Sequence, residues 1–252
     1  MKSVWVTRTE PGASRLAAWL TQQGFAAFAR PVLAIQPLSP WRAIVNGVPV
    51  AATVDAVQPP TVVCAMSAHA VEAFAAAGLA ARVGAARFVA VGENTARALG
   101  ALGFNAEVPR TPSSEGLLSM SQLQTLGAQD TIWILAGSGG RDVLERKLLH
   151  ARRASVVKLE LYQRVGGVPG AEVGAAGVGA VEVASVQGLE EFARIWQRAS
   201  GPKSVPLVVP SARVGEAARA EGFSHVYVAN GASDEAVLTQ LRNLISRNDQ
   251  PD

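Results

Sequence analysis

The chain has 252 residues, room for one large or two modest domains, and 49% hydrophobic against 17% charged residues describes a globular core, not a disordered polymer. One cysteine, Cys64, excludes an internal disulfide and fits a reducing compartment. The opening MKSVWVTRTEPG lacks an apolar signal core, and no later run approaches the ~20 apolar residues of a membrane span. A soluble, cytoplasmic protein without a membrane partner is expected. The net charge of +3 is only mildly basic. Nucleic-acid binding would concentrate Lys and Arg on one element with interleaved aromatics. The densest run, 141–158, has none, so no nucleic-acid partner is expected. A basic cleft for a polyanionic small molecule would give the same composition.

In chain order, Ser3–Val6 is a strand, a helix opens at Ala13 or Ser14 and closes at Gly24, and 26–35 returns as a strand. Prolines 37, 40, 49, 59 and 60 break up 36–60, where at most a turn around Trp41–Val45 is expected. A strand at 61–64, a helix at 68–77, a strand at 87–91, a helix at 96–102 and a short strand at 104–108 follow. Ser113 or Ser114 is placed to cap a helix over 117–126. Residues 131–164, TIWILAGSGGRDVLERKLLHARRASVVKLELYQR, then form a strand, a helix from Asp142 and a second strand over 156–161 that ends in Tyr162-Gln163-Arg164. Such a βαβ unit makes its strands parallel. Six glycines mark 166–179 as a tightly turning passage. Strands at 180–184, 207–209 and 223–229 alternate with helices at 189–198, 214–221 and 234–245, the last capped by Ser233.

The chain also repeats. TVVCAMSAHAVEAFA resembles AVEVASVQGLEEFA, pairing Ser67 with Ser185 at 185 − 67 = 118. RFVAVGENTARALGALGF resembles PLVVPSARVGEAARAEGF, pairing Phe104 with Phe223 at 223 − 104 = 119. The βαβ units near Trp5 and Trp133 lie 133 − 5 = 128 apart. Three kinds of piece thus occur twice, and two domains can be assembled in sequence or crossed. The proline-rich and glycine-rich breaks favour the crossed form. A discontinuous domain of 1–35 and 168–252 then receives an inserted domain of 38–165, with a cleft between them as the default site. The expected fold class is α/β, with two flavodoxin-like or Rossmann-like parallel-sheet domains joined by a two-stranded linker.

His69, His150 and His225 have no ligand-spaced partner, so no metal site is expected, and Cys64 sits in an apolar strand. Gly137-Ser138-Gly139-Gly140 is neither a dinucleotide fingerprint nor a Walker loop, because Asp142 stands at the third glycine position and the lysine is missing. What remains is a set of hydroxyls and amides at strand-to-helix turns: Arg8, Ser67, Gly92 with Thr95, Gly137 to Gly139 with Ser138 and Arg141, Ser185, and Ser211 with Arg213. Helix N-termini suit carboxylates or phosphates. Each turn alone is an ordinary cap; six in two quasi-equivalent domains point to a ligand with many carboxylates. Tyr162, one of two tyrosines, stands at a strand end, where packing would also explain it.

The pieces VWVTR, the Ser67 turn, VGENTARALGALGF, SSEGLL, GSGGRDVLERKL, LYQR and GFSHVYVANGASDEAVL, in this order, resemble the uroporphyrinogen-III synthases over nearly the whole chain. That resemblance implies two α/β domains in the crossed arrangement. It implies cyclisation of hydroxymethylbilane to uroporphyrinogen III, with inversion of ring D and loss of water. No metal and no organic cofactor are implied. Tyr162 matches the tyrosine that such enzymes are thought to use as the acid; a phenol ordinarily titrates near pH 10 and stays protonated at neutral pH. The acetate and propionate groups of the substrate suit amide-rich turns and a mildly basic site. Met66 stands where the family has threonine, and Val214 leaves Thr95 without a hydroxyl counterpart in the second repeat. A monomer is expected. The other readings are a noncatalytic ligand-binding or regulatory module of the same fold, expected to lose Tyr162 and the GSGGR turn, and a sugar-binding protein, expected to line a cleft with aromatics. Trp5, Trp19, Trp133 and Trp196 instead fit strand or helix core.

Overall fold

The computed structural model describes residues 3–51, 53, 57–140, 142–152, 154–168, 170 and 174–248, with the side chains of 151, 152 and 245–248 left aside. Its elements are β1 (Ser3–Val6), α1 (Gly12–Gln22), β2 (Ala27–Ala29), β3 (Ala34–Val45), β4 (Val48–Val50), β5 (Val62–Ala65), α2 (Ala68–Ala76), β6 (Arg87–Ala90), α3 (Glu93–Ala101) and β7 (Ala106–Glu107). The chain continues through α4 (Ser114–Leu118), α5 (Ser121–Gln124), β8 (Thr131–Gly137), α6 (Val143–Arg152), β9 (Ser155–Val165), β10 (Val178–Glu182), α7 (Val186–Arg198), β11 (Leu207–Val209), α8 (Ala212–Ala220), β12 (Val226–Val228) and α9 (Asp234–Asn248). Two compact units result: 1–34 with 165–252, and 35–164.

In the first unit β1, β2, β10, β11 and β12 form one sheet in the order β12-β11-β10-β1-β2, every pair parallel. Numbered along the chain this is the 2-1-3-4-5 order of a flavodoxin-like sheet, whose order reverses between β1 and β10. Ala13, Leu16, Ala17 and Leu20 of α1 are buried at helical spacing, and Val237, Leu238 and Leu241 of α9 join them on one sheet face. Trp5, Phe192 and Trp196 pack on the other, with Trp5 and Phe192 edge-to-face at 5.3 Å between ring centres. Trp19 is only partly buried, against the α1 and α9 cluster.

The second unit carries a sheet in the order β4-β3-β9-β8-β5-β6-β7. Pairs from β9 to β7 are parallel, and β3 with β4 is antiparallel. Counting β8-α6-β9 first, its parallel strands again run 2-1-3-4-5, now reversing between β8 and β5. The same order arises although this βαβ piece comes last in the segment. Every residue of β5 and of β8 is buried, as expected of strands covered on both faces.

Several expectations need correction. The strand expected over 26–35 stops at Ala29, and a new one starts at Ala34, because Pro31 lacks the N–H a continuous ladder requires. The stretch 36–50 is not irregular, and Trp41–Val45 is not a turn: β3 and β4 form a hairpin with Ala43 opposite Val50 and Val45 opposite Val48. Asn46 and Gly47, at φ 50° and 83°, supply the two-residue turn that such a hairpin needs. Pro37 and Pro40 lie before the stretch paired with β4, and Pro49 is on the edge strand, so the hairpin tolerates all three. The single helix expected over 117–126 is two short ones, α4 and α5; the Ser119 hydroxyl donates to the Gly116 carbonyl at 2.7 Å and competes with helix continuation. Strand β9 runs on to Val165, so Tyr162 lies inside it and not at its end. Between them β3 and β9 contain the two points where the chain passes from one unit to the other. Gln36 meets Gln163 near one end of this pair and Asn46 meets Val156 near the other, so the two strands are antiparallel.

Candidate active site

Beyond the carboxyl ends of β5 and β8, where the strand order of the second unit reverses, lies a cavity of ≈ 340 Å³. That is the low end of small-molecule pockets, about 300–1,000 Å³, and the expected ligand position in such sheets. A larger depression of ≈ 760 Å³ runs along the β3–β4 hairpin. Its lining includes neither Tyr162 nor the ends of β5 and β8, so the smaller cavity is the better candidate.

Sequence builds this cavity from three directions. Strand β5 ends at Ala65, and Ser67 caps α2 by accepting from the Ala70 amide at 3.1 Å. Strand β8 ends at Gly137, and the next amide, Ser138, donates to the Tyr162 carbonyl at 2.7 Å. At that point the ladder slips, with Ala136 opposite Glu160 and Gly137 opposite Tyr162. The extra residue in β9 is a bulge that turns Tyr162 onto the α2 side of the sheet, where it packs with Leu159 and Leu161. The ring crosses over Gly137 so closely that a Cβ there would lie 2.6 Å from Tyr162 Cζ. Only glycine fits beneath it.

Tyr162 is 2% exposed, and its hydroxyl has two partners. Ser67 Oγ is 3.1 Å away, and Arg164 Nη2 donates to the phenol oxygen at 3.1 Å. The Arg164 guanidinium also stands 5.5 Å from the ring centre, and His69 lies edge-on at 5.9 Å. The opposite wall carries Glu145 of α6 and Lys158 of β9, each 8% exposed, with Lys158 Nζ 3.6 Å from Glu145 Oε2 and 3.5 Å from Glu160 Oε1. Ile134, Ala136, Leu144 and Val91 make the rest of that wall apolar.

Among the residues expected from sequence, the cavity brings together Tyr162, Ser67 and Gly137, with Ser138 bonded to the backbone of Tyr162. Gly139 takes φ 71° in the same turn. Arg141 lies outside the described residues. Gly92 caps α3 with its backbone, while Thr95 is buried in the first turn of that helix, and neither lines the cavity. Arg8, Ser185, Ser211 and Arg213 belong to the first unit. Ser185 caps α7 through the Gly188 amide at 3.1 Å, as Ser67 caps α2, and Ser211 makes no side-chain cap. Arg8 is engaged: its Nε donates to Glu182 Oε1 at 2.7 Å and its Nη1 to Asp234 Oδ1 at 2.9 Å. Burial pushes the Glu182 carboxyl above the ordinary carboxylate range, and Arg8 offsets only part of that. Arg8 Nη2 and Glu182 Oε2 remain buried without a hydrogen-bond partner.

Sequence reading missed Arg164, Glu145, Lys158 and Glu182 as functional candidates. For Arg164 a signal existed, since it lies two residues beyond Tyr162 in the same LYQR stretch. For the others there was none. Among the described residues no group of three His, Cys, Asp or Glu is placed to hold a metal, and no helix is long and apolar enough to cross a membrane.

The chain matches the family model described as uroporphyrinogen-III synthase HemD over residues 14–239. A uroporphyrinogen-III synthase of Salmonella typhimurium is 35% identical over 195 residues, covering 71% of this chain and 78% of that one. Among solved structures, a uroporphyrinogen-III synthetase from Helicobacter pylori has the same fold at a TM-score of 0.63 and 12% identity, covering 97% of this chain and 100% of that one. One from Thermus thermophilus aligns at a TM-score of 0.58 and 18% identity, covering 98% and 100%.

Proposed function

The chain belongs to the uroporphyrinogen-III synthase family and is a cyclising lyase of tetrapyrrole synthesis, and from that premise we propose that its chemistry takes place in the Tyr162 cavity. The substrate is the linear tetrapyrrole hydroxymethylbilane. The observation that carries the reading is the Tyr162 hydroxyl, held between Ser67 and Arg164 at the switch point of a parallel sheet.

The cavity has room for one end of a linear tetrapyrrole, the ring that bears the hydroxymethyl group. Tyr162 gives its proton to the departing hydroxyl; the C–O bond breaks and water leaves. The pyrrole nitrogen supplies the electron pair that makes the methylene an azafulvenium carbon, and Arg164 faces the phenolate that remains. The substituted carbon of ring D then attacks that methylene to give a spiro intermediate; its bond to the methylene shared with ring C breaks, and that methylene re-attaches at the free α-carbon of ring D, which loses its proton, so ring D is inverted. Little acid strength is needed, so most of the acceleration comes from holding the chain for attack at the substituted position. Amide N–H groups at the Ser67 and Ser113 helix starts can donate to the substrate carboxylates. Arg141, Gly92, Thr95, Ser185, Ser211 and Arg213 are proposed to serve the remaining carboxylates. The protein is proposed to act as a monomer in the cytoplasm, without nucleic acid or membrane; the buried thiol of Cys64 fits a reducing compartment.

The test is a coupled assay with freshly made hydroxymethylbilane and isomer analysis of the oxidised porphyrin, with Tyr162→Phe in parallel. Type III product from the native protein and a loss of roughly 10²-fold or more in the variant are expected. Equal rates would reduce Tyr162 to a packing role, and type I product alone from the native protein would end this reading.

A further inference from the structure

Glu145 is the least explained charge in the cavity. Its side chain is nine-tenths buried and lines the cavity. Among the described residues its one charged partner is Lys158, at 3.6 Å, beyond the usual N–H···O range of about 2.7–3.2 Å. A buried carboxylate normally finds hydrogen-bond donors, and one facing a cavity without them is poised for a donor that a ligand brings. Glu160, the other carboxylate on Lys158, has a second cation in Arg42 of β3, 3.9 Å from its Oε2. The excess negative charge of the Glu145–Lys158–Glu160 group therefore falls toward Glu145 and the cavity.

We propose that Glu145 is a second catalytic residue: its carboxylate accepts the N–H of the pyrrole that ionises opposite Tyr162, and Lys158 is the positioning residue that keeps it charged and aimed there. The acid and the carboxylate act on opposite sides of one ring. As the C–O bond breaks and the Tyr162 proton leaves with the oxygen as water, the positive charge developing on the ring is shared by its N–H, hydrogen-bonded to Glu145. The N–H proton stays on nitrogen. The charge passes from this ring to ring D when the ring D carbon donates the electron pair of the new C–C bond. An ionic hydrogen bond to a carboxylate buried from water strengthens as that charge develops, which favours the transition state over the bound ground state. The same carboxylate repels the acetate and propionate groups, so the ring enters with its nitrogen edge toward α6. A purely structural α6–sheet ion pair would be expected to close to hydrogen-bond contact, since a loosely paired buried charge costs stability.

The inference rests on the cavity being the catalytic site, so the experiment is run beside Tyr162→Phe. Glu145→Gln, which keeps shape, is expected to lower kcat roughly 10²-fold with KM little changed. In Lys158→Met the pocket carboxylate faces Glu160 without its cation, with Arg42, Tyr162 and Arg164 as the remaining charged or titratable neighbours. The acid limb of its rate profile is expected to move to higher pH. A structural ion pair would leave that limb in place. If Tyr162→Phe is impaired while Glu145→Gln keeps at least half the native rate, the proposal for Glu145 is overturned and the cavity reading stands. Native rates from both would remove the cavity reading itself. Should Glu145→Gln fail to fold by circular dichroism, the pH profile of Lys158→Met decides, and an unmoved acid limb refutes the proposal.

Discussion

Replacing Gly137 by alanine adds one carbon directly under the Tyr162 ring. That carbon would lie 2.6 Å from Cζ, 2.8 Å from Cε2 and 2.9 Å from the phenol oxygen. Carbon atoms meet comfortably near 3.5 Å, so the ring must withdraw by about 0.9 Å. It has little freedom to do so, because it is 2% exposed, packs with Leu159 and Leu161 and is bonded to Ser67 and Arg164. Overpacking of this kind costs about 1–3 kcal/mol, which in a chain of this size lowers Tm by roughly 2–12 °C. The catalytic effect is the sharper one. A displacement near 1 Å of the reacting hydroxyl is expected to reduce kcat about 10²-fold. The assay is the coupled isomer analysis described for Tyr162→Phe, with a thermal melt alongside. In a double-mutant cycle, Gly137→Ala should add little to the rate loss of Tyr162→Phe, because both act through one hydroxyl. A Gly137→Ala protein within twofold of the native rate would refute both the close contact and the role given to Tyr162.

Two further outcomes are expected elsewhere in the molecule. Arg8→Met leaves the Glu182 carboxylate buried without its guanidinium, at a cost of about 3–5 kcal/mol near neutral pH. Glu182 has a raised value in the folded state, so the folded protein holds its proton more tightly, and stability falls as pH rises above the unfolded value of about 4.3. The deficit of Arg8→Met should therefore shrink toward acid pH; denaturation series at several pH values measure it, and a pH-independent deficit would contradict the assignment. Burial pushes the Cys64 thiol up to about 12, and the side chain is inaccessible. It should resist thiol reagents in the native protein and react fully in denaturant, and rapid native labelling would disprove its burial.

Local signals in the sequence were enough for most elements. The spacing of Leu16, Ala17 and Leu20 marks α1, and Ser67, Ser113 and Ser185 cap their helices through side chains, because both effects act within one turn of chain. Proline counting hid the β3–β4 hairpin, although Asn46-Gly47 was its stronger signal. Position relative to the partner strand, not proline content, decides whether a strand survives.

The order of the repeated pieces, read from sequence, is the order of the strands in both sheets, and the run of short motifs placed the chain in its family. Tertiary structure alone decided the charges. Arg8 meets Glu182 at a separation of 174 residues and Asp234 at 226, so this candidate cation is engaged by two carboxylates. The bulge opposite Gly137 is what turns Tyr162 across the end of β8, and the pairing of α6 with β9 is what sets Glu145 and Lys158 on the same wall. Periodicity and capping depend on neighbours a few residues away and can be read along the chain. Burial and charge pairing depend on which distant segments meet, and only the folded chain determines that.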